Sequence, residues 1–241
     1  MGRGPSIEGR KNAEDAKRAK VFTKLIREIT VATRAGVPDP ALNPRLRTAV
    51  DKALTANMSK DTIERAIKRG SGADGGAKME ELRYEGYGPG GTALIIECFT
   101  DNPTRTVADV RHALTKHGGN LGTSGSVSFQ FTRCGELVFP TGGDEAKEEK
   151  ILEAALDAGA DDVISEHGES TVLCAPENFE AVQQKLLEAG LDAQHAGVVM
   201  RPNNRTAVSG EVLETLTDLL EKLDGLDDVS EVYHNALLPA E

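Results

Sequence analysis

The chain has 241 residues, 39% of them hydrophobic and 4% aromatic, with a formal net charge of −11. That length suits one large domain or two to three small ones, and 28% charged residues with regular apolar periodicity exclude a disordered chain; no apolar run approaches bilayer length, since residues 93–96 end at Glu97. The charge is divided: residues 1–69 hold 16 Lys+Arg against 8 Asp+Glu, a net of +8, while residues 70–241 hold 12 against 31, a net of −19.

A basic end attracts polyanions and an acidic body repels them elsewhere, which would confine docking to that end. The same asymmetry would also arise if a basic helical domain neutralised the acidic body of its own or a neighbouring chain.

Residues 11–35 have the apolar spacing of an amphipathic helix, with Phe22, Leu25, Ile26 and Ile29 on one stripe. Lys17, Lys20, Lys24, Arg27 and Arg34 fall on the opposite side, and Arg18 lies nearer the apolar face. Gly36, Pro38 and Pro40 end the helix. Asn43-Pro44 supplies an N-cap and a first-turn proline for a second helix, with Leu46, Val50, Ala53 and Leu54 as its buried stripe. Ser59 caps a third, in which Ile63, Ala66 and Ile67 face inward, Arg65, Lys68 and Arg69 point away, and Gly70 closes the helix. The three helices loosely resemble a helix-turn-helix, a likeness shared with many bundles that bind nothing.

Residues 71–76, Ser-Gly-Ala-Asp-Gly-Gly, read as a flexible linker. Strands are expected over 82–84 and 92–99 around the glycine-rich turn 86–91, then a helix over 104–117 and a strand over 126–132. From Gly135 the expected order is strand 136–139, helix 144–158, strand 162–165, strand 171–175, helix 177–189 and strand 194–200, which is the ferredoxin-like βαββαβ. A strand near 205–208, a helix over 210–223 capped by Ser209 and a strand over 229–233 are too little for a domain of their own. They are expected to complete the sheet begun at residue 79. The predicted fold is therefore α+β with three domains: a basic helical domain with linker (1–76), a discontinuous α/β domain (77–133 plus 204–241), and a ferredoxin-like domain inserted in it (134–203).

Candidate catalytic and metal sites are mostly blank. Cys98, Cys134 and Cys174 form no CxxC and are odd in number, which predicts neither a disulfide framework nor a zinc cluster, and suits a reducing, cytoplasmic compartment. The N-terminus has no apolar signal segment. The run 86–91 lacks GxxxxGK[ST] and precedes a strand, so it reads as a turn and not as a phosphate cradle. His112 and His117 are five apart, the wrong spacing for two ligands on one helical face. Gly122-Thr123-Ser124-Gly125 falls short of a nucleophile elbow and reads as a backbone nest in a turn. Asp144, Glu145, Glu148 and Glu149 read as a solvated helix start. No catalytic residue, metal, cofactor, membrane or small-molecule substrate is called for, and the expectation is a protein that is not an enzyme.

The stretches Asp15-Ala16-Lys17-Arg18, Phe22-Thr23-Lys24-Leu25-Ile26-Arg27-Glu28-Ile29, Asn43-Pro44-Arg45-Leu46-Arg47 and Asn57-Met58 resemble the YebC/PmpR family. The most specific are Tyr84-Glu85-Gly86-Tyr87-Gly88-Pro89-Gly90-Gly91 and the run from Lys116-His117-Gly118-Gly119 to Ser126-Val127. Together the similar stretches span residues 11 to 132. The resemblance implies a helical N-terminal domain and two α/β domains around a cleft. It also implies a cytoplasmic transcriptional regulator that binds DNA, with related bacterial and mitochondrial proteins linked instead to translation on the ribosome. Family members commonly begin with His-Ser-Lys-Trp and a further Lys-His; residues 1–12 here lack the Trp and carry less positive charge.

The resulting expectation is a nucleic-acid-binding regulator whose phosphate contacts are Lys17, Lys20, Lys24, Arg27 and Arg34, with Arg45, Arg47, Arg65, Lys68 and Arg69 as secondary contributors. A ribosome-associated translation factor binding ribosomal RNA is the alternative, and a protein-interaction scaffold acting through the acidic ferredoxin-like unit the third.

Overall fold

The structure, a computed structural model, describes residues 7–73, 75 and 78–239. The distinctive residues 1–6, and Asp74 and Gly76 of the expected linker, lie outside the described residues. By contact density the chain divides into two compact units, residues 1–127 with 206–241, and residues 128–205.

In the first unit, helices α1 (Ile7–Ala35), α2 (Pro44–Thr55) and α3 (Lys60–Gly70) share a core of Ile29, Leu46, Ala49, Met58 and Ile63. Asn43 starts α2: its carboxamide oxygen accepts from Leu46 N at 3.1 Å, while its Nδ2 donates to Ala32 O and Val37 O, both at 2.9 Å. One buried side chain thus caps α2 and ties its start to the end of α1. Ser59 caps α3 by accepting from Thr62 N. Gly70 closes α3, as expected, and does so without a positive φ. It is the last residue of α3, and a Cβ there would lie 2.6 Å from Thr30 O and 2.7 Å from Thr33 Cβ. The glycine permits close packing of α3 on α1.

Strands β1 (Glu80–Tyr87) and β2 (Ala93–Thr100) pair antiparallel from Glu80↔Thr100 to Tyr87↔Ala93. The turn Pro89–Gly91 joins them, with Gly90 and Gly91 at φ of 69° and 72°. Helix α4 (Pro103–Lys116) and the short strand β3 (Asn120–Leu121) follow. Later in the chain come β8 (Thr206–Ala207), α7 (Gly210–Asp224), β9 (Val229–His234) and β10 (Ala236–Leu237). The main sheet has the order β3-β1-β2-β9; β8 and β10 pair separately, in parallel. The C-terminal segment therefore returns to the sheet begun near residue 80. One face of that sheet packs on α4 and α7 through Leu94, Ile96, Val110, Leu114, Leu216 and Leu219. Ser209 occupies the N-cap of α7 but makes no side-chain capping bond.

The second unit contains β4 (Phe131–Pro140), α5 (Glu145–Asp157), β5 (Asp162–Glu166), β6 (Glu169–Cys174), α6 (Phe179–Glu188) and β7 (His195–Pro202). Its antiparallel sheet has the order β5-β6-β4-β7, as in a ferredoxin-like βαββαβ. Leu137, Phe139, Val172 and Cys174 face α5 and α6. The strand expected over 126–132 is not a separate element. Residues 128–130 form a 3₁₀ turn, and a single strand runs from Phe131 through Pro140, so the expected domain edge at 133/134 falls inside β4. Alternation continues across Cys134-Gly135 because Gly135 packs against Cys174 and Phe179, where a larger residue would not fit. Strands β3 and β10, two residues each, offer no periodicity to read.

Candidate nucleic-acid interface

Helix α1 is buried on two opposite sides. Its apolar stripe packs on α2 and α3, and the opposite side lies against β2, β9 and the end of α7. Three of the five cations expected to face solvent make contacts within the chain: Lys24 and Arg27 are half-buried, and Lys20 is exposed but bonded. Lys20 Nζ donates to Gly225 O at 3.0 Å. Lys24 Nζ donates to Asp224 O at 2.5 Å and pairs with the Asp224 carboxylate at 3.3 Å. Both meet the C-terminal end of α7, where unpaired carbonyls concentrate negative potential. Arg27 Nη1 donates to Phe99 O at 3.2 Å and to Asp228 Oδ1 at 2.5 Å.

Asp228 is the hub of this contact, only 5% exposed. Arg105 of α4 donates to it through Nε at 3.0 Å and Nη2 at 2.8 Å, and Thr106 Oγ1 donates at 2.9 Å. Burial pushes the Asp228 carboxyl up, but hydrogen bonds from Arg105, Arg27 and Thr106 outweigh it and hold the group below the usual carboxylate range. The sheet face under α1 is otherwise acidic: Glu97 and Glu231 stand opposite each other on β2 and β9. Burial, with Glu28 and Glu97 nearby, raises the Glu231 carboxyl, while Lys52 and Lys24 oppose the rise. Arg45 also belongs to this layer, paired with Glu81 and stacked over the Phe99 ring at 5.8 Å.

The remaining expected contacts stay on the surface. Lys17, Arg34, Arg47, Arg65, Lys68 and Arg69 are all exposed. Arg65, Lys68 and Arg69 occupy one outer arc of α3. Thr33, beside Arg34, packs against Gly70, beside Arg69, so these two arginines lie at one end of the helical domain. Arg47 reaches the same end, donating through Nε to Pro40 O at 3.1 Å and Nη2 to Ala41 O at 2.9 Å. Lys17 stands apart, toward the other end of α1.

Sequence reasoning missed Asp228, Arg105 and Asp224 as partners of the basic stripe. One signal was available: Val31 falls between Lys20 and Lys24 on the helical wheel, and it is buried. A valine amid a row of cations marks that side as packed.

The most specific sequence stretches meet in this unit and serve the fold. The turn that follows the nest expected over 122–125 holds an internal anion. Gly125 N and Val127 N donate to the Glu85 carboxylate at 2.6 and 3.1 Å, which fastens the loop to β1. His117 caps α4, its Nδ1 donating to Ala113 O at 2.7 Å. Asp144 caps α5. Burial pushes the Cys98 thiol up to about 12 and the Cys174 thiol up to about 11, and raises Cys134, so none is poised as a thiolate at neutral pH. A cavity of roughly 490 Å³ borders Asp228. Lys20, Arg27 and Arg105 in its wall are matched by Asp101, Asp109, Asp227 and Asp228, so it offers a ligand no single sign of charge. Among the described residues no group of three or more His, Cys, Asp or Glu could hold a metal, and no helix is long and apolar enough to cross a membrane.

Comparison with known proteins extends over nearly the whole chain. Residues 4–73 match the family model for the TACO1/YebC protein N-terminal domain, and residues 79–236 that for the TACO1/YebC second and third domain. A "Probable transcriptional regulatory protein" of Xanthomonas oryzae pv. oryzae is 58% identical, over 98% of this chain and 97% of its own length. A protein of the same description from Stenotrophomonas maltophilia is 56% identical over 100% of this chain and 99% of its own. These relatives carry the names of regulatory proteins and not of enzymes. Among solved structures, a conserved hypothetical protein from Aquifex aeolicus superposes with a TM-score of 0.84 at 44% identity, covering 94% of this chain and 93% of that one. On matches that together take in both halves of the sequence, the chain belongs to the TACO1/YebC family.

Proposed function

We propose that this protein is a nucleic-acid-binding regulator, of the DNA-binding transcriptional kind that its relatives' names describe. The observation that carries the reading is the exposed basic end of the helical domain: Arg34, Arg47, Arg65, Lys68 and Arg69 stay at the surface after Lys20, Lys24 and Arg27 are bound internally. Cations so placed meet phosphates, and phosphate contacts fix position without reading sequence. Lys17 would add a contact farther along α1. Lys20, Lys24, Arg27 and Arg45 are assigned to holding the helical domain on the sheet.

The test is a binding titration against salt. Each phosphate contact contributes about −0.9 to the slope of log K against log salt on duplex DNA, so replacing Arg65, Lys68 and Arg69 together by Gln should flatten it by roughly 2–3. An unchanged slope would remove α3 from the interface.

A second reading, a translation factor on ribosomal RNA, is favoured by one feature. Helix α3 offers Arg and Lys, which read guanine, but no Asn or Gln to read adenine. Crosslinking in growing cells separates the two. Discrete promoter peaks lost in the α3 variant support the first reading, and a dominant ribosomal RNA site supports the second.

A further inference from the structure

The ferredoxin-like unit carries a net charge of −9, but the charge is unevenly placed. Residues 134–200 hold 15 Asp+Glu against Lys147, Lys150 and Lys185. Residues 128–133 and 201–205 hold Arg133, Arg201 and Arg205 and no acid. The pairing Phe131↔Pro202 and Thr132↔Arg201 brings these two segments side by side at one end of the sheet. That end is the single basic patch of an acidic domain.

Phe129 sits on this patch, 72% exposed, in the 3₁₀ turn that precedes β4. Single exposed apolar side chains are ordinary on a protein surface. Phe129 differs in two respects. It is the one exposed aromatic among the described residues, the other Phe and Tyr being buried or half-buried. Its backbone is also fixed from the neighbouring strand. Asn203 N donates to Gln130 O at 2.9 Å, Asn203 Nδ2 donates to Phe129 O at 3.4 Å, and Thr132 Oγ1 donates to Asn203 Oδ1 at 2.6 Å. The ring is held outward on an anchored turn. Arg133 and Arg205 are exposed on the same two segments, whereas Arg201 is paired with Glu136 at 2.9 Å.

An outward aromatic ring on a rigid support, at the same end of the sheet as the exposed Arg133 and Arg205, has the composition of a base-stacking site. A base has an apolar face for the ring and carries a phosphate for the arginine, and stacking accepts any base. We propose that Phe129 stacks on an unpaired base of a single-stranded nucleic acid, with Arg133 and Arg205 on its flanking phosphates. This site would be a second contact, distinct from the helical domain. It rests on the reading of the protein as a nucleic-acid binder, and it adds that the target includes an unpaired segment.

The chain has no tryptophan, so Phe129→Trp places a single fluorescent reporter at the site. The full-length protein is titrated with a short oligo-uridylate, an oligo-thymidylate of the same length and a mixed-sequence DNA duplex. The expected result is quenching of the introduced indole by a single strand, and a roughly 5- to 100-fold loss of single-strand affinity in Phe129→Ala with duplex affinity unchanged. Arg133→Gln with Arg205→Gln should flatten the single-strand salt slope by roughly 1.4. Preference for uridylate over thymidylate identifies RNA as the source of the strand, and the reverse identifies DNA. Single-strand binding that is equal in wild type and Phe129→Ala, or an unquenched reporter at saturation, overturns the stacking site. The regulator reading survives that outcome if the α3 variant still loses duplex binding. Absence of binding to all three probes overturns both.

Discussion

Replacing Asp228 by Asn should release the helical domain from the sheet. Asp228 accepts four hydrogen bonds, one from Arg27, two from Arg105 and one from Thr106, and it is the acceptor that α1 and α4 share. Removing one partner of a buried ion pair costs about 3–5 kcal/mol. Here the stranded guanidinium groups keep access to water, with the Arg105 side chain 44% exposed and that of Arg27 20% exposed, so a loss of about 2–3 kcal/mol is expected. For a chain of this size that lowers the melting temperature by roughly 4–12 °C in the transition of the unit that contains Asp228. The pH dependence carries a sign. Because the folded carboxyl lies below its unfolded value near 3.9, its contribution is complete above that value and is lost as pH falls through the folded one. The gap between wild type and Asp228→Asn, followed by thermal unfolding from pH 7 to pH 3, should be full at neutrality and narrow once pH falls below about 3.9. A gap under about 0.5 kcal/mol at pH 7, or one that widens in acid, would refute the hub.

Further substitutions test neighbouring features. Asn43→Ala removes a cap and two buried donations, and should cost about 2–3 kcal/mol in urea titration. Gly70→Ala drives a methyl group into Thr30 O and Thr33, and should cost about 1–3 kcal/mol without change in helix content by circular dichroism. Glu85→Ala unfastens the loop through Val127, and should raise amide hydrogen exchange at Gly125 and Val127 above that of β2. Cys98 should resist a thiol reagent at pH 8 until the protein unfolds, because it is buried and its thiol is raised to about 12.

Much of the fold is legible in the sequence because its signals are local. Asn43-Pro44 and Ser59 mark helix starts through the bonds they form three residues on, and βαββαβ follows from periods that alternate between helix and strand. The candidate interface is legible in composition and not in placement. A helical wheel separates Phe22 and Ile29 from Lys24 and Arg27, but it does not say whether the polar side meets water or acids some 200 residues away. The pairing of Lys24 with Asp224 and of Arg27 with Asp228 depends on the C-terminal segment returning to β2, a tertiary fact with no local pattern. The outward placement of Arg65 and Arg69 on short α3 can be read from the wheel alone, because no second layer covers that side of the helix. Phe129 lies inside an expected strand, and a strand gives no reason to look for an outward aromatic ring.

The layer beneath α1 joins carboxylates to cations over Glu97, Glu231 and Asp228, around the buried Val31 and the Phe99 ring. Opening an interface that rich in ion pairs depends strongly on ionic strength. Separation of the helical domain would accordingly respond to added electrolyte. A polyanion that displaced the α7 carbonyls from Lys20 and Lys24 would act on the same balance as added salt.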